Sequence, residues 1–166
     1  MKAKRPTIPI VSALPFCILL VITGCSKSAN PPLPTNGTLS ITAGTTNFTA
    51  AQVEAAYSST LGFVAVLGYT IQGHDTTSVQ LDFAYLPPVG VTFSSDSTET
   101  GLTYIAGSKR YDGFLGLGKV VMQLTAADTV EHKLSGTFSA TLIDDDNSSD
   151  SLIITNGKFT STYTAQ

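Results

Sequence analysis

Apolar and polar side chains alternate with a period of two through much of the chain. In Thr77 to Tyr85 the set Val79, Leu81, Phe83, Tyr85 alternates with Ser78, Gln80, Asp82, Ala84. Neighbouring side chains of an extended chain point to opposite faces, so this run predicts a strand with one buried face. Leu134 to Leu142 repeats the pattern, with Leu134, Gly136, Phe138, Ala140 and Leu142 on one side and hydroxyl side chains on the other. Lys119 to Thr125 sets Val120, Met122 and Leu124 inward. Phe63 to Ile71 is apolar on both sides, Phe63, Ala65, Leu67, Tyr69 and Ile71 against Val64 and Val66, which predicts a more central strand. Only in Thr49 to Ser58 does the spacing change, and Val53, Ala56 and Tyr57 there predict one short helix.

Turn-forming clusters separate these runs: Gly73-His74-Asp75, Pro87-Pro88, Ser94 to Thr100, Gly107-Ser108, Ala126 to Asp128 and Asp144 to Asp150. Short strands spaced in this way predict an all-β fold, an antiparallel β-sandwich or open barrel, as a single domain over residues 38–166. The last strand carries an irregularity. Leu152 and Ile154 face inward on even numbers, whereas Phe159 and Tyr163 continue the apolar face on odd numbers. One extra residue must be absorbed between them, which predicts a bulge at Asn156-Gly157 with Gly157 at positive φ. The rival is a two-residue hairpin turn at the same dipeptide.

The chain opens differently. Lys2, Lys4 and Arg5 precede an apolar run from Ile8 to Ile22 that meets Thr23 and Gly24, the three-part layout of a secretory signal over residues 1–24. Pro9 and Pro15 interrupt the run, which is shorter than the roughly 18 to 20 apolar residues of a permanent membrane-spanning helix. Ile22-Thr23-Gly24-Cys25 resembles the lipobox of bacterial lipoproteins. That resemblance implies a diacylglycerol on the Cys25 thiol, cleavage before it and acylation of the new amino end. Two or more acyl chains anchor stably where one does not. Residues 25–37 hold Pro31, Pro32 and Pro34 and read as a Pro-rich tether, extended at about 3.1 Å per residue.

Charge and cysteine content narrow the function. Three of the nine Lys and Arg leave with the signal, so six basic side chains face twelve acidic ones and the balance moves from −3 to −6. No basic cluster remains, which argues against nucleic acid as a partner. Cys17 leaves with the signal and lipid consumes Cys25, so the mature domain holds no thiol for a disulfide, a zinc site or a nucleophile. It must rely on a side-chain core.

The closing pattern LSGTFSATL, an acidic loop and LIITNGKFTSTY, behind a lipobox, resembles small lipoproteins of Bacteroidetes-type bacteria in families of unknown function, the DUF6252-like group. The resemblance spans Leu134 to Thr164 and implies a small β domain at the outer membrane with no assigned catalytic residue. In that group acidic residues after the lipid cysteine mark export to the cell surface. Ser26 to Ala29 contains none, which implies a periplasm-facing position.

Four features invite chemistry. Gly113 to Lys119 fits G-x-x-x-x-G-K, but Val120 stands where a phosphate-binding loop needs a hydroxyl, and a strand follows instead of a helix. The loop Asp144 to Asp150 crowds four carboxylates, and Asp144, Asp146 and Asp150 are weak candidates for a calcium site. Counted from Asp144, however, Ser149 and Thr155 replace the required Gly and Glu. A solvated turn of mutually repelling carboxylates is the plainer reading. His74 and His132 fall in turns without a nucleophile motif. Of the tyrosines, Tyr69, Tyr85 and Tyr163 read as core, and Tyr57, Tyr104 and Tyr111 as candidates for a surface patch. The expectation is a lipid-anchored, non-catalytic envelope domain without cofactor, partnered by an envelope protein or glycan. The alternative is a glycan-binding accessory module of a polysaccharide-uptake system, which needs an exposed tyrosine patch. An envelope hydrolase would need a histidine joined to a serine and a carboxylate.

Overall fold

The computed structural model describes residues 36–84, 86–96, 100–114 and 117–165. The signal, Cys25, the tether as far as residue 35 and Tyr85 lie outside the described residues. The described chain is all-β. Its strands are β1 (Gly37–Ala43), β2 (Thr46–Thr49), β3 (Gln52–Ser58), β4 (Phe63–Gln72), β5 (Asp75–Ala84), β6 (Thr92–Ser94), β7 (Thr100–Ala106), β8 (Lys109–Asp112), β9 (Gly118–Asp128), β10 (Lys133–Asp144), β11 (Ser151–Thr162) and β12 (Thr164–Ala165).

They form one open sheet in the order β12-β3-β4-β5-β7-β8-β10-β11-β1-β2, with β9 on β10 and β6 on β9. Every pairing is antiparallel except the short β12–β3 ladder. The sheet folds back on itself. A Cβ on Gly68 of β4 would stand 3.0 Å from the Cβ of Leu39 on β1, so strands from distant parts of the path face each other. Between them Leu39, Ile41, Val53, Val64, Val66, Val79, Leu81 and Phe83 belong to one buried cluster with Met122, Leu142 and Phe159.

The alternation read from β5, β9 and β10 holds, with Val79, Leu81 and Phe83, then Val120, Met122 and Leu124, then Leu134, Phe138 and Leu142 all buried. Three expectations are corrected. Thr49 to Ser58 is no helix: after β2 ends at Thr49, β3 pairs with β4 from Gln52↔Tyr69 to Ser58↔Phe63. A ladder of seven pairs outweighs the weak local spacing, because strand preference is decided by neighbours. In β4 the buried face is Val64, Val66 and Gly68, while Phe63, Ala65, Leu67, Tyr69 and Ile71 face outward. Tyr69 is therefore no core residue, and its hydroxyl donates to Glu54 at 3.2 Å. The turn expected at Ala126 to Asp128 falls later, because β9 continues to Asp128. Asp128 Oδ1 there accepts the amides of Val130 and Glu131.

The register slip in β11 is present, and the hairpin turn is not. Ser139 on β10 opposes both Thr155 and Asn156, and the β1–β11 ladder shifts at the same place. The left-handed residue of this bulge is Asn156, at φ 53°, and Gly157 does not take a positive φ. Glycine is required at 157 for a different reason: a Cβ would lie 2.5 Å from the Phe138 carbonyl oxygen and 2.6 Å from its ring.

Candidate functional site

The acidic loop is not a set of repelling carboxylates. It turns beside β8, whose Tyr111 pairs with Asp144, and β8 brings two cations to it. Lys109 Nζ lies 3.5 Å from Asp144 and 3.3 Å from Asp150, and Arg110 Nε lies 3.0 Å from Asp145. The Tyr111 hydroxyl and Asp150 raise the Lys109 pKa. Asp144 is buried, and its Oδ1 accepts the amides of Asp146 and Asn147, which closes the turn. Of the three calcium candidates, Asp144 caps the loop, Asp150 shares Lys109 with it, and Asp146 is exposed.

The glycine run is anchored by backbone contact. Gly113 N donates to Leu102 O at 2.8 Å, and a Cβ on Gly113 would meet Leu142 and Val120 at 2.7 and 2.9 Å. Gly118 takes φ 138° where a Cβ would overlap the Thr141 carbonyl oxygen. It opens β9 directly, so a strand follows the run as the sequence indicates.

The tyrosines divide. Tyr104 is buried and packs on half-buried Tyr111 at 6.4 Å, which corrects its reading as a surface residue. Tyr57 meets buried Tyr163 edge-on at 6.0 Å, so the three candidates do not form one exposed patch. His74 is exposed at the β4–β5 turn, and His132, exposed at the β9–β10 turn with φ 54°, stacks on Tyr163 at 5.0 Å.

A group of residues that sequence reading did not connect gathers on the outer face of β4, β5, β7 and β8. Outward positions of β5 carry Gln80 and Asp82, those of β7 carry Thr103 and Ile105, and those of β8 carry Arg110 and Asp112. The pairings Gln80↔Thr103 and Thr103↔Asp112 place three of them in one row across the strands. Phe114, just beyond β8, folds over Gly101, where a Cβ would overlap its ring. With Phe63 and Leu117 these residues enclose a cleft of about 380 Å³.

The cleft holds two buried carboxylates in unequal settings. Asp112, 7% exposed, accepts Thr103 Oγ1 at 2.6 Å and Arg110 Nε and Nη2 at 2.9 and 2.6 Å. Asp82, 8% exposed, accepts Gln80 Nε2 at 3.0 and 2.8 Å on its two oxygens. Burial raises the Asp82 pKa, the Gln80 bond opposes that rise, and the Asp112 charge adds to it. A signal was present in the sequence: an aspartate between Leu81 and Phe83 in an apolar strand, and a phenylalanine within a glycine run.

A second concavity of about 370 Å³ opens at the β2 end of the fold. Buried Phe48 and Tyr104 contribute to its lining, together with Asn47, Gln72, Asp75 and Thr77. Fold and sites together define an open all-β domain with a charged cleft on one outer face. No family model, curated protein or solved structure matches the chain.

Proposed function

We propose that the chain is a lipid-anchored, non-catalytic domain of the cell envelope whose outer sheet face binds a partner, a protein or a glycan. The observation that carries this reading is the outer-face cleft, where buried Asp82 and Asp112 lie beneath Phe114 while the interior is filled by packed side chains. Clefts of roughly 300–1,000 Å³ with apolar walls and a few fixed polar groups are typical ligand sites. The lipobox-like Ile22 to Cys25 supports anchoring through lipid on Cys25, and the lack of acidic residues in Ser26 to Ala29 supports an outer-membrane lipoprotein facing the periplasm. The likeness of Leu134 to Thr164 to the DUF6252-like lipoproteins supports the same assignment.

The test is photocrosslinking in living cells from the intact, lipidated protein, with the reactive group at Leu117 on the cleft rim, 54% exposed. A discrete crosslinked partner at Leu117, absent when the probe is at Val130 on the β9–β10 turn, is the expected result. Equal or absent crosslinking at the two positions would exclude the cleft as the binding face.

The glycan reading is favoured by one observation, the second concavity. There Asn47, Gln72 and Asp75 can hydrogen-bond sugar hydroxyls beside the rings of Phe48 and Tyr104. A glycan array on which Asp75→Ala removes the signal supports it, and an array blank with the wild-type chain removes it.

A further inference from the structure

We propose that the outer-face cleft binds an alkylammonium group, a single positive charge on an apolar stem, with Asp82 as its counter-ion. This deepens the binding reading above and rests on the cleft being the binding face.

The argument is one of unmatched charge. Among the described residues Arg110 is the cation of this cleft, and it is already committed to two carboxylates, Asp112 at 2.6 Å and Asp145 at 3.0 Å. Asp82 is as buried as Asp112, but among the described residues its hydrogen-bond partner is the neutral amide of Gln80. A buried carboxylate is costly unless a positive charge and hydrogen bonds accompany it. Gln80 Nε2 supplies one nitrogen to the two Asp82 oxygens, which leaves lone pairs for a further donor.

The walls decide which cation fits. Phe63, Ile105, Phe114 and Leu117 line the cleft around Asp82 and Asp112. Calcium takes six to eight oxygen ligands, which carbon walls do not supply. An ammonium needs only three acceptors, and its stem is matched by apolar surface. Aromatic faces attract a cation further. Phe114 is held over Gly101, where a side chain larger than hydrogen would displace it, so the roof is built into the sheet. The groups around Asp82 are Gln80 on its own strand, Thr103 on β7, Arg110 and Asp112 on β8 and Phe63 on β4. Among these Asp82 is the carboxylate whose affinity for a proton is raised by burial, so a proton competes with the ligand and binding weakens in acid.

Calorimetry on the full-length chain in nonionic detergent at neutral pH and moderate salt tests this. The probes are 1-aminopentane, its neutral isostere 1-pentanol, calcium chloride and a short acetylated peptide with one lysine. Saturable binding of the amine, at least about ten-fold tighter than the alcohol, is expected, and Asp82→Asn should weaken it by about ten-fold or more. Phe114→Ala, on a loop outside the core, should weaken it without lowering the melting temperature appreciably. It decides the matter if Asp82→Asn fails to fold. A lysine peptide that binds more tightly than the amine assigns the group to a protein partner, and the reverse order assigns it to a free alkylamine. No amine binding, equal binding of the alcohol, undiminished binding in Asp82→Asn, or displacement of the amine by calcium would each overturn the proposal. If the amine fails while the Leu117 crosslink persists, the cleft binds a partner of other chemistry. If both fail, the binding reading falls with it.

Discussion

Gly157 is held by its neighbour across the ladder. A Cβ there would press on the Phe138 carbonyl oxygen at 2.5 Å, and a strand residue cannot retreat without breaking its pairs. Gly157→Ala should destabilise by about 1–3 kcal/mol, the range for overpacking, in urea denaturation. Asn156→Gly is the contrasting variant. It relieves a left-handed Cβ at φ 53° but loosens the unfolded chain, and the two effects nearly cancel. Asp82 gives a pH dependence. Its folded pKa is raised above the ordinary 3.8, so the folded state holds the proton more tightly than the unfolded one. Stability from this group is therefore lost as pH rises from the ordinary carboxylate value through the folded pKa. Asp82→Asn should melt at a higher temperature than the wild type at neutral pH, and the gain should vanish as pH falls toward 4. A constant difference across that range would show that burial does not perturb Asp82.

At the scale of elements, the β10–β11 hairpin and β8 act together. Asp144 ends β10, caps its own turn and faces Lys109, so the acidic loop is closed by hydrogen bonds and counter-charges. Lys109 is 60% exposed, and its ion pairs contribute little beside the buried cap. Asp144→Ala should cost about 1–2 kcal/mol, as loss of a capping side chain does. Lys109→Ala should cost less than Asp144→Ala by the same denaturation measurement. With Asp144, Asp145 and Asp150 already engaged, the loop should bind calcium more weakly than about 1 mM at physiological salt. Saturable micromolar binding lost in Asp146→Ala would contradict this.

For the whole molecule, the proposed anchor and the domain make separable demands. The domain begins by Asn36, whose amide donates to Val53 O at 3.3 Å and whose carbonyl accepts Thr162 N at 2.8 Å. Cys25 precedes Asn36, the first described residue, by a stretch rich in proline. Labelled fatty acid should enter the wild type and not Cys25→Ala, while the two chains unfold at the same temperature. Equal labelling would refute lipidation at Cys25, and a lower melting temperature for Cys25→Ala would show that the anchor supports the fold.

The period-two pattern by itself determined the class of fold, the buried faces of β5, β9 and β10, and the need for a bulge in β11. Each follows from the geometry of a single extended strand, where side-chain direction is set by residue number. The N-terminal expectations rest on local motifs in the same way and need no tertiary contact to be read. Pairing decided what depends on a neighbour. It made β3 a strand, turned the wider apolar face of β4 outward, moved the left-handed residue from Gly157 to Asn156, and supplied Lys109 and Arg110 to a loop that looks uncompensated in sequence. The assembly of the cleft was hidden for the same reason, although its single residues left a signal. Asp82 and Asp112 are thirty residues apart and meet only because β7 lies between β5 and β8, so no local spacing records them as a pair.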